Sequence, residues 1–575
     1  MENNNLFETE SASAPPTTVT GQRNRKLLFI GGIAGLIVVI GFAGAVLATT
    51  VRPIRQLLGL YVDPIALDYV PATTPVLITF NPSAAQVINM VKLRDLVAAN
   101  PALTEKVDEF TQQTDALNFQ ADVASWIGVE MAVAVIDSPN SFVKAPEVVV
   151  MATIRDRSQL NAAIDRVQKT LEAKGFEFIE QKYKNTTITL IKPLISPVQC
   201  CVSYAIYEDN LLLATIPDAI ETMIDTREGR TPAMKSNPEY QKVTQNLPSS
   251  RSATLFADVT KFTNELRTNT SPGVLALDGA KSLGLAISFE TDGVEVSYAS
   301  SVQSASLTAP RKKYIAAQKT DPNGVLSRVP ADALLVISGQ DLKSLWTYFN
   351  DVLANDMPQV KVIPFTIAQI RLLTGVDIEN DLVAWMTGEY AIAVVPARPS
   401  VMFGDNLRAG LLLLFDVNAT KDASQEGLSR VVRSLRHQNI IFRTKQINGV
   451  DAQVLADGEI AGVTPGYAFA DGYFYIASSE DVLTTALAAS QSPLSQDSDF
   501  KKVISALPND NTGILYVAVP RVISVFGQVL PPLDISGINT DVPVLVHSWK
   551  GIGFASGLPT LDGTQHASLF IYITK

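Results

Sequence analysis

Two carboxylates flank a tryptophan twice in this chain. Asp122-x-x-x-Trp126-x-x-x-Glu130 and Asp381-x-x-x-Trp385-x-x-x-Glu389 carry the same residue types at the same spacing. A carboxylate pair could act as general acid and base if its surroundings separate the two protonation equilibria. The duplication favours another reading, because an active site needs one pair and both copies keep theirs. On that reading Asp122 and Asp381 cap a short helix, their carboxylates taking up free backbone N–H groups. Trp126 and Trp385 then point into the core, Gly128 and Gly388 end the helix, and Glu130 and Glu389 start the next strand. No residue is assigned a catalytic, cofactor-binding or metal-binding role.

Other chemistries lack their residues. There is no Gly-x-Ser-x-Gly elbow and no His-Glu-x-x-His. The three histidines, His437, His547 and His566, are scattered and have no counterparts in the first copy, so a triad or histidine metal site is not expected. Gly273-x-x-x-x-x-Gly279-Ala280-Lys281-Ser282 has one residue too many for a phosphate loop, and Gly551-x-Gly553-x-x-x-Gly557 misses the dinucleotide spacing. Cys200 and Cys201 are adjacent, where a disulfide is strained, and read as free thiols; a vicinal disulfide switch or a metal site is the alternative.

The elements that would hold the paired motifs are themselves duplicated. Residues 67–134 align with 326–393 at a constant offset of 259, without a gap. Val70-Pro71-Ala72 becomes Val329-Pro330-Ala331. Further on, Asp209-Asn210 matches Asp471-Gly472, Leu247-Pro248 matches Leu507-Pro508, and Asp292-Gly293 matches Asp562-Gly563. The period is too long for a solenoid and suits a whole domain. Two such copies suggest a pseudo-two-fold arrangement. The expected division is a disordered head 1–26, a membrane helix 27–49, a connector 50–66, a first copy 67–310, a linker 311–325 and a second copy 326–575. Arg311-Lys312-Lys313 in the linker reads as a solvated basic cluster.

Within the copies, apolar runs joined by turns predict strands at Val76–Phe80, Glu130–Ile136, Glu147–Ile154, Phe176–Tyr183 and Val202–Tyr207. Leu160, Ile164, Val167 and Leu171 predict a helix over 158–174, closed by Gly175. A second helix is expected over about 101–117. The second copy repeats the order, with strands at Leu411–Phe415 and Tyr473–Ala477 and a helix over 428–437. The fold class is α+β, with antiparallel sheets and packed helices.

Composition sets the outer limits. The 575 residues are 47% hydrophobic and 18% charged, with net charge −11. The first 55 residues hold five basic and three acidic side chains, leaving −13 on the remainder. An acidic body without a basic arm speaks against nucleic acid. Leu27–Ala48 is apolar and uncharged, long enough to span a bilayer. Arg23, Arg25 and Lys26 precede it and Arg52 and Arg55 follow, which places the N-terminus in the cytoplasm and the bulk outside. A cleaved signal peptide is the rival, but the apolar run and polar head are long for one. Gly31 and Gly35 would let two such helices meet.

The start Val70-Pro71-Ala72-x-x-x-x-Leu77, the block Trp126-x-Gly128-x-Glu130-x-Ala132-x-Ala134, the single anchor and the Asp562-Gly563 hairpin together resemble the bacterial family termed domain of unknown function 3352. The resemblance covers most of residues 60–575. It departs at Gly388, which lies three rather than two residues after its tryptophan. It implies an exported, membrane-tethered protein and supplies no catalytic residues. Three functions compete: a non-catalytic ectodomain that binds a cell-envelope protein or organises the envelope, a carrier or sensor for an apolar ligand, and an enzyme with an unfamiliar site. The first is favoured, on the anchor, the duplicated acidic body and the missing catalytic motifs. The sequence leaves the oligomeric state open.

Overall fold

The structure is a computed structural model that describes residues 63–98, 123–136, 147–194, 202–261, 279–355, 371–372, 375–399, 407–457, 463–527, 533–535, 538–540 and 546–574. The expected membrane helix with Gly31 and Gly35, Asp122, the 101–117 helix and the Cys200–Cys201 pair lie outside these residues. Among the described residues, no helix is long and apolar enough to cross a membrane.

Alternating apolar residues build strands that join into one 20-stranded sheet. The first ten are β1 (Val76–Phe80), β2 (Ile127–Ile136), β3 (Glu147–Ile154), β4 (Phe176–Tyr183), β5 (Thr186–Pro193), β6 (Val202–Tyr207), β7 (Asn210–Ala214), β8 (Ala253–Asp258), β9 (Ala280–Glu290) and β10 (Gly293–Val302). The second half supplies β11 (Leu335–Gln340), β12 (Glu389–Pro396), β13 (Ala409–Asp416), β14 (Phe442–Ile447), β15 (Val450–Leu455), β16 (Gly466–Ala470), β17 (Tyr473–Ala477) and β18 (Asn511–Val517). The short hairpin β19 (Leu533–Ile535) and β20 (Ile538–Thr540) stands apart, and β21 (Trp549–Gly557) and β22 (Gly563–Ile573) close the chain.

Every pairing in the large sheet is antiparallel. Its order is β4-β5-β6-β7-β3-β2-β1-β8-β9-β10-β22-β21-β18-β11-β12-β13-β17-β16-β15-β14. Read from either end, strands of matching sequence follow in the same order. The halves meet where β10 pairs with β22, from Gly293↔Tyr572 to Val302↔Gly563. The midpoint falls between Ser297↔Ser568 and Tyr298↔Ala567, and the two Asp-Gly turns lie at opposite ends.

One sheet face carries the two main cores. In the first half Leu77, Ala134, Met151, Leu212 and Phe256 pack with residues of the Pro217–Arg227 and Pro238–Thr244 helices. In the second, Val336, Ala393, Leu412 and Tyr516 pack with the Glu480–Ala488 and Ser498–Ile504 helices. The second helix of each pair is capped alike: Asn237 Oδ1 accepts from Tyr240 N at 2.9 Å, and Asp497 Oδ1 from Phe500 N at 2.8 Å. Below those helices Gly284 faces Val243 and Leu247, and Gly553 faces Val503 and Leu507. Gly551 and Gly553 are therefore strand glycines that admit a helix, not a nucleotide loop.

The linker is more structured than a plain connector: a helix, Ala309–Ala317, and a 3-10 turn, Gly324–Arg328, overlap its two ends. Thr308 Oγ1 caps the helix by accepting from Arg311 N at 3.4 Å.

Candidate functional site

The tryptophan of each copy anchors a helix on the other sheet face. Trp126 is buried with Leu160 and Ala163 of the Arg157–Ala173 helix, whose N-cap is Asp156. Trp385 is buried edge-on to Phe415 and Phe474, at centroid distances of 6.3 and 5.7 Å. Its Nε1 donates to Asp381 O at 2.9 Å, beneath the Lys421–His437 helix. That close seat requires Gly427, where a Cβ would meet Asp381 O at 2.3 Å.

The capping role expected of Asp381 belongs to Asp377, whose Oδ1 accepts from Asn380 N at 3.1 Å. Asp381 lies inside the π-helical turn Ile378–Leu382 that follows. Its Oδ2 accepts from Asp377 N at 3.0 Å and its Oδ1 from Arg430 Nε at 2.7 Å. The cap sits one turn earlier because the carboxylate nearest the free N–H groups is that of Asp377. The glycines do not end a helix. Gly128 lies in β2, where a Cβ would meet Thr153 Oγ1 at 2.2 Å, and Gly388 lies just before β12, where a Cβ would meet Asp416 O at 2.6 Å.

Glu130 is the fourth residue of β2 and Glu389 the first of β12, and both are buried. Each receives the start of a 3-10 turn. Ala66 N donates to Glu130 Oε1 at 3.0 Å, and Val325 N to Glu389 Oε2 at 3.1 Å. Ala66 and Val325 are themselves 259 apart. Gly324 N adds a 2.8 Å bond to Glu389 Oε1, and a Cβ on Gly324 would crowd Oε2. Burial pushes the carboxyl of Glu130 up to about 7, against the backbone N–H of Ala66 and helped by the charge of Asp68. Burial also pushes Glu389 up to about 7, with the carboxylate of Asp321 adding to it. The 3-10 turns thus take up one carboxylate oxygen of Glu130 and both of Glu389. Among the described residues, no group of three His, Cys, Asp or Glu could hold a metal ion.

The second face carries a feature that the sequence reading missed. Six apolar side chains lie in register across the join of the halves: Ile287, Val296, Leu569, Phe554, Leu515 and Ile337. None of the six is fully buried; Phe554 is 40% and Ile337 37% exposed. Outward, the face is covered, by Met90 over Phe80 in the first half and by the tryptophan clusters beyond. Alternation alone showed apolar strands; that two of them would pair across the halves needed the register.

The molecule is an α+β protein built on a large antiparallel sheet, with helices on both faces. It belongs to the family described as protein of unknown function (DUF3352), whose model matches residues 30–572. No curated protein matches the chain. Among solved structures, crystal form I of TP0453 has 11% identity and a TM-score of 0.24, covering 44% of this chain and 83% of that one. Crystal form III of the same protein has 13% identity and a TM-score of 0.24, covering 43% and 83%.

Proposed function

We propose that this protein is a membrane-anchored, non-catalytic binding protein of the cell envelope. Two tandem homologous units, 67–310 and 326–575, would stand outside the membrane on an anchor at 27–49, with the N-terminus cytoplasmic. The observation that carries the reading is the apolar row across the join, from Ile287 to Ile337, left partly exposed at the centre of the sheet. Contiguous apolar side chains left open to solvent are a recognised mark of a binding face. The matched strand order of the halves and the equivalent Ala66–Glu130 and Val325–Glu389 bonds support descent of both units from one. The uncharged run Leu27–Ala48, with its more basic N-terminal flank, supports the anchor and its orientation.

Benzoylphenylalanine placed at position 554 in the full chain, and photolysed in the source cells, tests the reading. The expected result is an adduct at 554 well above that at position 180, an exposed site on β4. Equal labelling at the two positions would overturn it.

A further inference from the structure

At one equivalent place the second half is much more basic than the first. Residues 421–446, a helix and the edge strand β14, carry six basic and two acidic side chains, net +4. The matching residues 157–182 carry five and four, net +1. The two segments fold alike. The helices Arg157–Ala173 and Lys421–His437 are 264 residues apart, and so are the left-handed turn residues Gly175 and Asn439, at φ of 83° and 60°. The fold therefore does not require the charge. Where the second half has Arg436 and Ile441, the first has Glu172 and Glu177.

The basic side chains gather about one turn. Arg433, Arg436 and His437 lie in the final five residues of the helix, at three- and four-residue spacing, and all are exposed. Gln438 N and Ile440 N donate to Leu435 O at 2.9 and 3.0 Å, which folds the chain back onto the helix end. Ile441 follows and is 51% exposed. β14 ends the strand order, and Arg443 to Gln446 are exposed along it. Arg433, Arg436 and Arg443 form no ion pair among the described residues, whereas Arg430 is held by Asp381 and Lys445 by Glu480. Asp457 is the acid beside the turn, next to Ala456, whose N–H donates to Ile441 O at 2.8 Å. The rim thus presents three free guanidiniums and one carboxylate around an isoleucine left in water.

Charge and apolarity lie side by side in this way at the surface of an anionic bilayer. Its phosphate headgroups attract arginine, and the boundary with the acyl chains takes an exposed aliphatic side chain. A soluble polyanion would engage the arginines and leave Ile441 in water. On a chain of net charge −11, such a surface repels most of the molecule and draws this rim towards it, which orients the approach.

We propose that the rim formed by Arg433, Arg436, Ile441 and Arg443 binds the surface of an anionic phospholipid bilayer, with the arginines on phosphate and Ile441 at the acyl boundary. The contact uses neither the proposed anchor at 27–49 nor the row at the join, so it stands or falls apart from them.

The test holds the full chain in neutral phosphatidylcholine nanodiscs and mixes these with lipid vesicles, which are then floated on a density gradient. Vesicles containing phosphatidylglycerol are expected to carry the chain up at low salt. High salt, or vesicles of phosphatidylcholine alone, should leave it behind. Arg433→Gln/Arg436→Gln/Arg443→Gln should weaken the binding about 100-fold. Ile441→Ser should weaken it about 10-fold. Lys169→Gln/Lys174→Gln, at the matching turn of the first half, should change it little, which separates the rim from a general loss of charge. All these side chains are exposed, and an unchanged thermal midpoint checks the fold of each variant. No flotation with anionic vesicles would overturn the proposal, as would flotation that survives the triple substitution or occurs equally with neutral vesicles. Binding that Ile441→Ser leaves unchanged would assign the arginines to soluble polyanions and overturn the bilayer as the ligand.

Discussion

Lys502 Nζ lies 2.5 Å from Asp292 Oδ2, so a helix of the second half closes on the hairpin turn of the first. The reverse contact exists at the other end of the β10–β22 ladder. There the N–H of Ser304, and with it the charges of Lys242 and Lys312, hold the carboxyl of Asp562 below the usual range. Ser304 N donates to Asp562 Oδ1 at 2.8 Å, and Ile573 N to Asp292 O at 2.9 Å. The two halves thus grip each other reciprocally, as subunits of a symmetric dimer do.

Association of the halves should survive loss of their covalent link. A protease site introduced at the exposed pair Lys319-Thr320 is expected, after cutting, to leave both fragments in one peak on size-exclusion chromatography. Separate peaks would show that the ladder does not suffice. Asp292→Ala alone should cost less than about 1 kcal/mol, because the pair is half exposed.

The buried glutamates set a pH dependence whose sign is fixed. In the folded chain Glu130 and Glu389 keep their protons up to about pH 7, whereas an unfolded glutamate releases its proton near 4.5. Between these values the folded state binds more protons, so their contribution to stability falls as pH rises. The urea midpoint of the wild type is expected to drop more between pH 5 and pH 8 than that of Glu130→Gln/Glu389→Gln. Parallel curves would show that the two groups do not titrate in this window.

Asp381 is predicted to act in stability rather than chemistry. Asp381→Ala leaves Asp377 N and Arg430 Nε without their acceptor and should cost about 1–3 kcal/mol in denaturant unfolding. Trp385→Ala removes a buried ring and should cost about 3–5 kcal/mol. Stability unchanged by either substitution would contradict the account of the block.

Close helix approach should make two equivalent glycines unequal. A Cβ at Gly553 would meet Val503 Cγ1 at 2.3 Å, whereas at Gly284 the nearest atom is Leu247 Cδ1 at 3.1 Å. Gly553→Ala is expected to cost about 1–3 kcal/mol by overpacking. Gly284→Ala should cost less, since the leucine tip can move. Equal thermal shifts would show that the two helices do not sit as described.

Much of this was legible beforehand. Alternation placed Val76–Phe80, Glu147–Ile154, Phe176–Tyr183, Val202–Tyr207 and Tyr473–Ala477 at their observed bounds, because turns such as Asp471-Gly472 stop those strands sharply. Periodicity placed the 157–173 helix within one residue at each end. The 421–437 helix was read seven residues short, since its first two turns carry Lys421, Asp422, Gln425 and Glu426 in place of apolar markers. Asp377 was missed as a cap because the matched tryptophan spacing drew attention to Asp381. The join of β10 with β22 comes from contacts between residues far apart in sequence, which periodicity cannot register.

Native mass spectrometry of the full chain, recovered from its source cells in neutral detergent, tests the central claim most directly. The wild type is expected to retain a bound mass, of a protein or of a smaller molecule, that Phe554→Asn loses at unchanged thermal stability. A wild-type chain that flies at its bare mass under gentle activation would contradict the binding face at the centre of the sheet.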